Sequence, residues 1–133
     1  MKNLLTFFQK NDRFAGHSGI ELLEISEGRA KAAMNIKKHH LNSVGSVHGG
    51  AIFTLADFVF AVASNSHGTV AVAINVSISY MKAATRGRLF AEAIEVAINP
   101  KLASYTVNVT DEQGGLIAIF QGMVYRKKET VSI

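Results

Sequence analysis

The chain has 133 residues, of which 48% are apolar and 18% charged, so we expect one hydrophobic core and a single domain spanning residues 1–133. It contains no cysteine, which excludes disulfides, thiolate metal ligands and a cysteine nucleophile. The net charge of +4 is spread along the chain in small groups, whereas a nucleic-acid binder typically shows a dense stripe, so no nucleic-acid partner is predicted.

The first forty residues predict a short helix and then two strands. Leucines and phenylalanines lie close to helical spacing in residues 2–11, which indicates a short amphipathic helix. Residues 19–26 and 29–37 alternate between apolar and polar and are joined at Glu27-Gly28, which predicts an antiparallel hairpin. The N-terminal apolar run is too short for a secretory signal, so a cytoplasmic location is expected.

A polar loop at 38–47 precedes the most apolar part of the chain. His48-Gly49-Gly50 introduces it, and apolar residues then recur at intervals of three and four, which predicts a buried central helix. The apolar run from 51 to 63 is shorter than the ~20 residues of a membrane span and contains Asp57, so no membrane partner is predicted.

Four β-rich runs follow, at 69–81, 88–98, 103–110 and 116–126. The connections between them are short, which favours antiparallel pairing of consecutive strands. We therefore predict an α+β fold in which an antiparallel sheet wraps one apolar helix. In so small a domain one sheet face or edge needs cover, and oligomerisation is the simplest way to provide it.

Asp57 is the only ionisable side chain between Gly49 and Ser66. A buried carboxylate costs several kcal/mol unless it is paired or hydrogen-bonded. Two interpretations stay open at this point. Asp57 either faces solvent or receives donors from nearby hydroxyls, or it acts in a cleft as a general base or nucleophile.

The paired glycines Gly49 and Gly50 allow close backbone approach at a helix start, where the first N–H groups lack intrahelical partners. Such donors can stabilise the oxyanion of thioester hydrolysis, although the pair also suits an ordinary tight turn. Gly49 and Asp57 are eight residues apart, hence ~12 Å along the helix, so one acyl carbonyl cannot touch both. If both serve one reaction, two subunits must contribute to the site.

Other hydrolytic chemistries find no support in the residue spacing. The five histidines show no metal-binding pattern such as HExxH, and no serine lies in a GxSxG elbow, so neither a metal nor any other cofactor is predicted. Asn42 lies in the polar loop, where it either hydrogen-bonds a substrate carbonyl or acts as an ordinary loop asparagine.

The segment 41–68 reads LNSVGSVHGGAIFTLADFVFAVASNSHG, and 72–93 reads VAINVSISYMKAATRGRLFAEA. These segments resemble PaaI-like thioesterases, of the phenylacetate-degradation type, in the hotdog-fold superfamily. The resemblance is carried by Asn-x5-HGG-x6-Asp followed by a strand ending in Tyr-Met, and it covers most of the chain. It implies a hotdog fold, with six antiparallel strands around one central helix, and an acyl-CoA thioesterase. The acyl group stays open between aryl and medium-chain, because the apolar residues of the helix could line either kind of pocket, namely Phe53, Leu55, Phe58, Val59 and Phe60.

The resemblance also implies roles for individual residues. Asp57 corresponds to the catalytic aspartate, supplied from the opposite subunit. Gly49 corresponds to the oxyanion-hole amide, and Asn42 and His48 to the residues that position the carbonyl. It implies that a homodimer is required for the site, and that dimers commonly assemble into homotetramers.

The chain departs from many relatives after Tyr80-Met81, where the loop reads Lys-Ala-Ala-Thr-Arg-Gly-Arg, and at Ala73, where some relatives have a hydroxyl. Lys82, Arg86 and Arg88 could bind the phosphates of CoA, or could each be a solvated surface cation. Two rival functions are a non-catalytic acyl-CoA-binding protein and a hotdog dehydratase. The dehydratase ranks lower because no proline accompanies His48, and retention of Asp57 argues against binding alone.

Overall fold

The computed structural model describes residues 1–133. Its helices are α1 (Lys2–Asn11), α2 (Arg13–His17) and α3 (Gly49–Asn65), with a short 3-10 turn at Lys38–His40. Its strands are β1 (Ile20–Ser26), β2 (Arg29–Asn35), β3 (Thr69–Tyr80), β4 (Arg88–Ile98), β5 (Leu102–Thr110) and β6 (Leu116–Thr130). No helix is both long enough and apolar enough to cross a membrane.

All six strands form one antiparallel sheet in the order β1-β2-β4-β5-β6-β3, which confirms the predicted α+β architecture. The β1–β2 hairpin is also confirmed: Ser26 lies opposite Arg29, and Gly28 adopts the positive φ of +73° that the two-residue turn needs. One expectation was wrong. β3 and β4 follow each other in sequence, but β5 and β6 lie between them in the sheet.

The error has a physical reason in the loop from Met81 to Gly87. That loop is short, but it crosses the end of the sheet and is held there by hydrogen bonds from Val47 N to Ala84 O (2.8 Å) and from Ile36 N to Gly87 O (2.9 Å). The path of this loop is therefore set by hydrogen bonds to residues outside the strands, and not by the length of the loop. β3 is left at one edge of the sheet and pairs only with β6.

The N-terminal region contains a second short helix that the sequence pattern did not predict. Asp12 ends α1 in an extended conformation, and its side chain caps α2 by accepting a hydrogen bond from Ala15 N at 3.0 Å. Aspartate is a preferred N-cap residue, so Asp12 was the available signal.

The central helix α3 is buried against the concave face of the sheet. Its Phe60 ring packs against Tyr105 and Phe120, with centroid distances of 5.8 and 5.3 Å. The sheet approaches closely enough that a Cβ at Gly122 would lie 2.6 Å from the Phe60 ring. Glycine at position 122 therefore permits the contact that holds the helix in the curve of the sheet.

The C-terminal end of α3 is tied to the sheet through Glu95. This carboxylate accepts hydrogen bonds from Tyr105 Oη at 2.5 Å and His67 Nε2 at 2.7 Å. Burial alone would raise the pKa of Glu95, but the hydrogen bonds from Tyr105 and His67 and the charges of His67 and Arg126 outweigh it, so the pKa lies below its ordinary 4.5.

We expect Glu95→Gln to lower the free energy of unfolding at pH 7 by about 2 kcal/mol, because a charged acceptor is lost from two hydrogen bonds. Since the pKa is lowered by folding, the stabilisation is complete above about pH 4.5 and disappears as the pH falls through the folded-state pKa. Urea denaturation of the wild type and the variant, at pH 7 and again below the folded-state pKa of Glu95, measures the difference in their free energies of unfolding. Glu92→Gln is the control, because Glu92 forms only an exposed ion pair with Arg29 at 3.9 Å. Equal losses for the two variants would contradict the expectation.

Candidate active site

The N-terminus of α3 leaves one backbone donor free. The carbonyl of the N-cap residue His48 accepts hydrogen bonds from Ala51 N (2.9 Å) and Ile52 N (3.2 Å), and its ring Nδ1 accepts from Gly50 N (2.8 Å). The N–H of Gly49 has no acceptor in the protein. Gly49 N–H is therefore the donor that this helix start offers to a ligand, whereas Gly50 N–H is already used.

The hydrogen bond from Gly50 N–H also fixes which ring nitrogen of neutral His48 carries the proton. Because Nδ1 accepts a hydrogen bond, it carries no proton, and the neutral ring must carry its proton on Nε2. Nε2 has no hydrogen-bond partner within the protomer, and the residue is exposed. The helix start therefore offers a side-chain donor next to its backbone donor.

Asn42 shapes the loop that leads into this helix. Its Oδ1 accepts hydrogen bonds from Val44 N (3.0 Å) and Ser46 N (3.1 Å), and its Nδ2 donates to Ser46 Oγ (3.2 Å). These are the contacts of a loop-forming asparagine, which was one of the two alternatives open from sequence. One Nδ2 proton stays without a partner, so the amide retains a donor for a ligand.

Asp57 lies on the one face of α3 that the sheet does not bury, together with Gly50, Phe53, Thr54 and Ala61. Its carboxylate is half-buried, forms no ion pair and accepts no hydrogen bond in the protomer. Burial raises the pKa of Asp57, and the Asp12 carboxylate raises it further. A carboxylate of raised basicity with no structural partner is suited to take a proton.

One protomer does not bring these groups to the same point. Gly49 and Asp57 are eight residues apart on a continuous helix, which separates them by about 12 Å along its axis. The structure therefore places the free donor and the unpartnered carboxylate on one helix but too far apart for a single carbonyl group.

The two edges of the sheet differ in a way that bears on assembly. Gln9 of α1 covers the β1 edge by hydrogen-bonding Ile20 O and Leu22 N. The β3 edge is covered only near its start, where Asn65 hydrogen-bonds Ala71 N (3.0 Å) and Ala71 O (3.3 Å). Beyond that point its apolar side chains Val72, Ile74 and Val76 are 40%, 54% and 36% exposed. An uncovered apolar edge strand is a surface that proteins generally pair or protect.

A groove of about 400 Å³ runs past the helix start. Its lining comes from the segment before α3, the helix itself and the end of β3, namely Val47, Gly49, Ile52, Tyr80, Met81, Lys82 and Ala83. Tyr80 Oη donates a hydrogen bond to the carbonyl of Gly49 at 2.9 Å. In the sequence this tyrosine is only part of a motif, and no role was predicted for it. Its position at the end of a β-strand was the one available signal.

The three cations singled out from sequence have different surroundings. Lys82 lines the groove and forms an ion pair with Asp111 at 3.3 Å. Arg88 forms an ion pair with Glu21 at 2.7 Å, and its guanidinium lies 5.4 Å from the Phe90 ring centroid. Arg86 forms no ion pair. Lys82 and Arg88 are therefore each paired with a carboxylate, whereas Arg86 shares a groove with Asp111 and Glu112 but forms no ion pair with either.

The chain is similar to known proteins over most of its length. The thioesterase superfamily model matches residues 44–118. An Archaeoglobus fulgidus protein named "Putative esterase" is 49% identical over 124 residues, covering 92% of this chain and 80% of that protein. The Escherichia coli protein named acyl-coenzyme A thioesterase PaaI is 32% identical over 124 residues, covering 92% of this chain and 89% of that protein.

A solved structure of the E. coli PaaI protein superposes with a TM-score of 0.94 at 30% identity, covering 98% of this chain and 96% of that one. The fold, the identity over nearly the whole chain and the match of the family model agree with the resemblance carried by the HGG and Asp57 motif. The chain thus belongs to the thioesterase superfamily, as a PaaI-like thioester hydrolase with the hotdog fold.

Proposed function

We propose that this protein hydrolyses acyl-CoA thioesters to a free acid and CoA at a site shared by two protomers. The observation that carries the proposal is the pair of unsatisfied groups on α3: the free N–H of Gly49 and the unpartnered carboxylate of Asp57. The name of the E. coli relative, an acyl-coenzyme A thioesterase, supports the choice of substrate.

In the proposed reaction, Gly49 N–H binds the thioester carbonyl oxygen, and the free donors of His48 and Asn42 help to position it. As the tetrahedral intermediate forms, the negative charge on this oxygen grows beside the N-terminus of α3, where a preorganised donor is worth about 3 kcal/mol. This arrangement stabilises the transition state more than the bound substrate.

Asp57 of the partner subunit supplies the base. It removes a proton from water, the water oxygen attacks the carbonyl carbon, and the C–S bond then breaks to release CoA as its thiolate. In the alternative route the Asp57 carboxylate attacks the carbonyl carbon itself, the C–S bond breaks to release CoA as its thiolate, and water then cleaves the resulting mixed anhydride. After a single turnover in ¹⁸O-water, label in the Asp57 carboxyl would establish the second route with attack of water on the Asp57 carbon, because the first route leaves Asp57 unlabelled.

Gly49 and Asp57 of one protomer lie about 12 Å apart along the helix, so one thioester carbonyl cannot contact both. We therefore infer that two protomers share each site. Two antiparallel copies of α3 would bring Gly49 of each protomer to Asp57 of the other, and pairing of the two β3 edges would cover the exposed apolar side chains of that strand. We propose a homodimer as the functional unit and a homotetramer as the complete assembly.

The acyl group and the CoA phosphates need separate contacts. We propose that Phe53, on the uncovered face of α3, contacts the acyl group, which fits an aryl or medium-chain aliphatic substrate. For the phosphates, Lys82 lines the groove and Arg86 forms no ion pair, so we propose these two cations as the contacts. Arg88 is less suited, because Glu21 engages its guanidinium at 2.7 Å, closer than the 3.3 Å between Lys82 and Asp111.

Thiol release from a panel of aryl- and alkyl-CoA thioesters, followed with a thiol-reactive dye, tests the proposed function. We expect turnover with at least one class of acyl group, and the order of kcat/KM across the panel identifies the preferred class. Tight binding of acyl-CoA without release of thiol would contradict the proposal and support the non-catalytic binding protein.

A further inference from the structure

The peptide unit between Gly49 and Gly50 is held from both sides by side chains of different segments. Tyr80 Oη donates a hydrogen bond to its carbonyl oxygen at 2.9 Å. His48 Nδ1 accepts a hydrogen bond from its N–H at 2.8 Å. One rigid peptide plane therefore has a partner at each of its two polar groups.

Both glycines are needed for this arrangement. A Cβ at Gly49 would lie 3.1 Å from Tyr80 Oη and 3.2 Å from its Cζ, and a Cβ at Gly50 would lie 3.0 Å from His48 Nδ1. The absence of side chains lets Tyr80 and His48 approach the backbone, but it also leaves the two glycines with more conformational freedom than other residues have. The two hydrogen bonds remove that freedom at the helix start.

We propose that Tyr80 is a positioning residue for the thioesterase reaction: by holding the Gly49 carbonyl, it restricts rotation about the backbone bonds of Gly49, which join this peptide plane to the neighbouring plane that carries the free N–H of Gly49. This inference rests on the proposed role of Gly49 as the oxyanion donor. Tyr80 acts through the backbone of Gly49 and contributes no group to the chemical step.

The end of β3 gives Tyr80 a fixed base for this role. Tyr80 pairs with Ala118 of β6, and the next two residues both donate to Ile117 O, from Met81 N at 2.8 Å and from Lys82 N at 3.3 Å. The tyrosine ring therefore projects from a hydrogen-bonded part of the sheet. It links the sheet to the first turn of α3, whose geometry decides how well the oxyanion is bound.

Tyr80→Phe tests the proposal, because it removes the hydroxyl and keeps the ring. We expect kcat for the preferred acyl-CoA to fall about 10-fold while KM changes less than about 2-fold, since a misdirected donor weakens binding of the oxyanion more than binding of the substrate. The matched control is Tyr125→Phe, which removes an exposed hydroxyl on β6 that has no hydrogen-bond partner, and should leave both constants unchanged.

A second measurement does not depend on turnover. In ¹⁵N-labelled protein, Tyr80→Phe should shift the Gly50 amide resonance, because that N–H shares a peptide plane with the Gly49 carbonyl, and should speed its hydrogen exchange. Tyr125→Phe should change neither. An unchanged Gly50 amide would overturn the proposal, as would an increase in KM at constant kcat, which would mean that the hydroxyl binds the substrate directly. If the wild-type protein cleaves no thioester, the proposed function fails while the amide measurement still tests the contact.

Discussion

Asp57→Asn is expected to lower kcat for acyl-CoA hydrolysis by at least about 100-fold, the scale associated with loss of a general base. Asparagine keeps nearly the same shape but cannot take up a proton. The variant should not be destabilised, because the carboxylate of Asp57 has no ion pair or hydrogen bond in the protomer to lose. Loss of activity without loss of stability would separate a catalytic role from a structural one.

The pH dependence follows from the same carboxylate. Since burial and the Asp12 charge raise the pKa of Asp57, folding disfavours its ionised form, and the carboxylate costs stability at pH values above its ordinary pKa of 3.8. At neutral pH, Asp57→Asn should therefore raise the melting temperature. Wild-type kcat should fall as the pH is lowered through the raised pKa, because protonated Asp57 cannot act as a base.

Thiol release and thermal denaturation of both proteins between pH 4 and pH 9 measure these effects. Asp12→Asn is a matched control. It removes the neighbouring carboxylate and keeps a residue that caps α2 equally well, so its maximal kcat should match that of the wild type. Hydrolysis by Asp57→Asn at the wild-type rate would remove Asp57 from the mechanism.

The fold was predictable because its dominant signals are local. The apolar repeat of α3 and the Glu27-Gly28 turn each lie within one stretch of sequence, and both predictions were confirmed. The position of β3 at the sheet edge depends on hydrogen bonds such as Val47 N to Ala84 O, which join segments 37 residues apart, and alternation along a strand does not report such contacts.

The candidate site likewise combines residues that local sequence signals identify with contacts that only the tertiary fold creates. His48, Gly49 and Asp57 could be singled out because a helix start and a lone carboxylate are visible in the sequence. The contact between Tyr80 and Gly49 spans 31 residues, and the ion pair that engages Arg88 with Glu21 spans 67. Residues this far apart meet only through the tertiary fold. The role of Tyr80 and the distinction between Arg86 and Arg88 therefore required the structure.

The proposed oxyanion donor, Gly49 N–H, can be removed without interrupting the helix, because Gly49 is the first residue of α3. Proline is well tolerated at the first helical position and has no N–H. His48 precedes it with φ −60° and ψ 136°, within the extended region that a residue before proline adopts. We expect kcat of Gly49→Pro to be about 100-fold below that of Gly49→Ala, since both add a Cβ near Tyr80 and only proline removes the donor. Equal rates for the two variants would exclude Gly49 N–H as that donor.

Mixing the Gly49→Pro and Asp57→Asn proteins tests whether each active site is shared between two subunits. If Gly49 acts with Asp57 of the partner subunit, a dimer of one Gly49→Pro chain and one Asp57→Asn chain has one site with both groups intact and one with neither. Random reassembly makes about half of the dimers mixed, so about a quarter of the wild-type activity should return from proteins that each retain about 1% or less. Refolding the variants together from urea and assaying thiol release measures this recovery. Separately refolded samples of each variant are the control. If Gly49 and Asp57 of the same protomer formed the site, every site would lack one group and no activity would return.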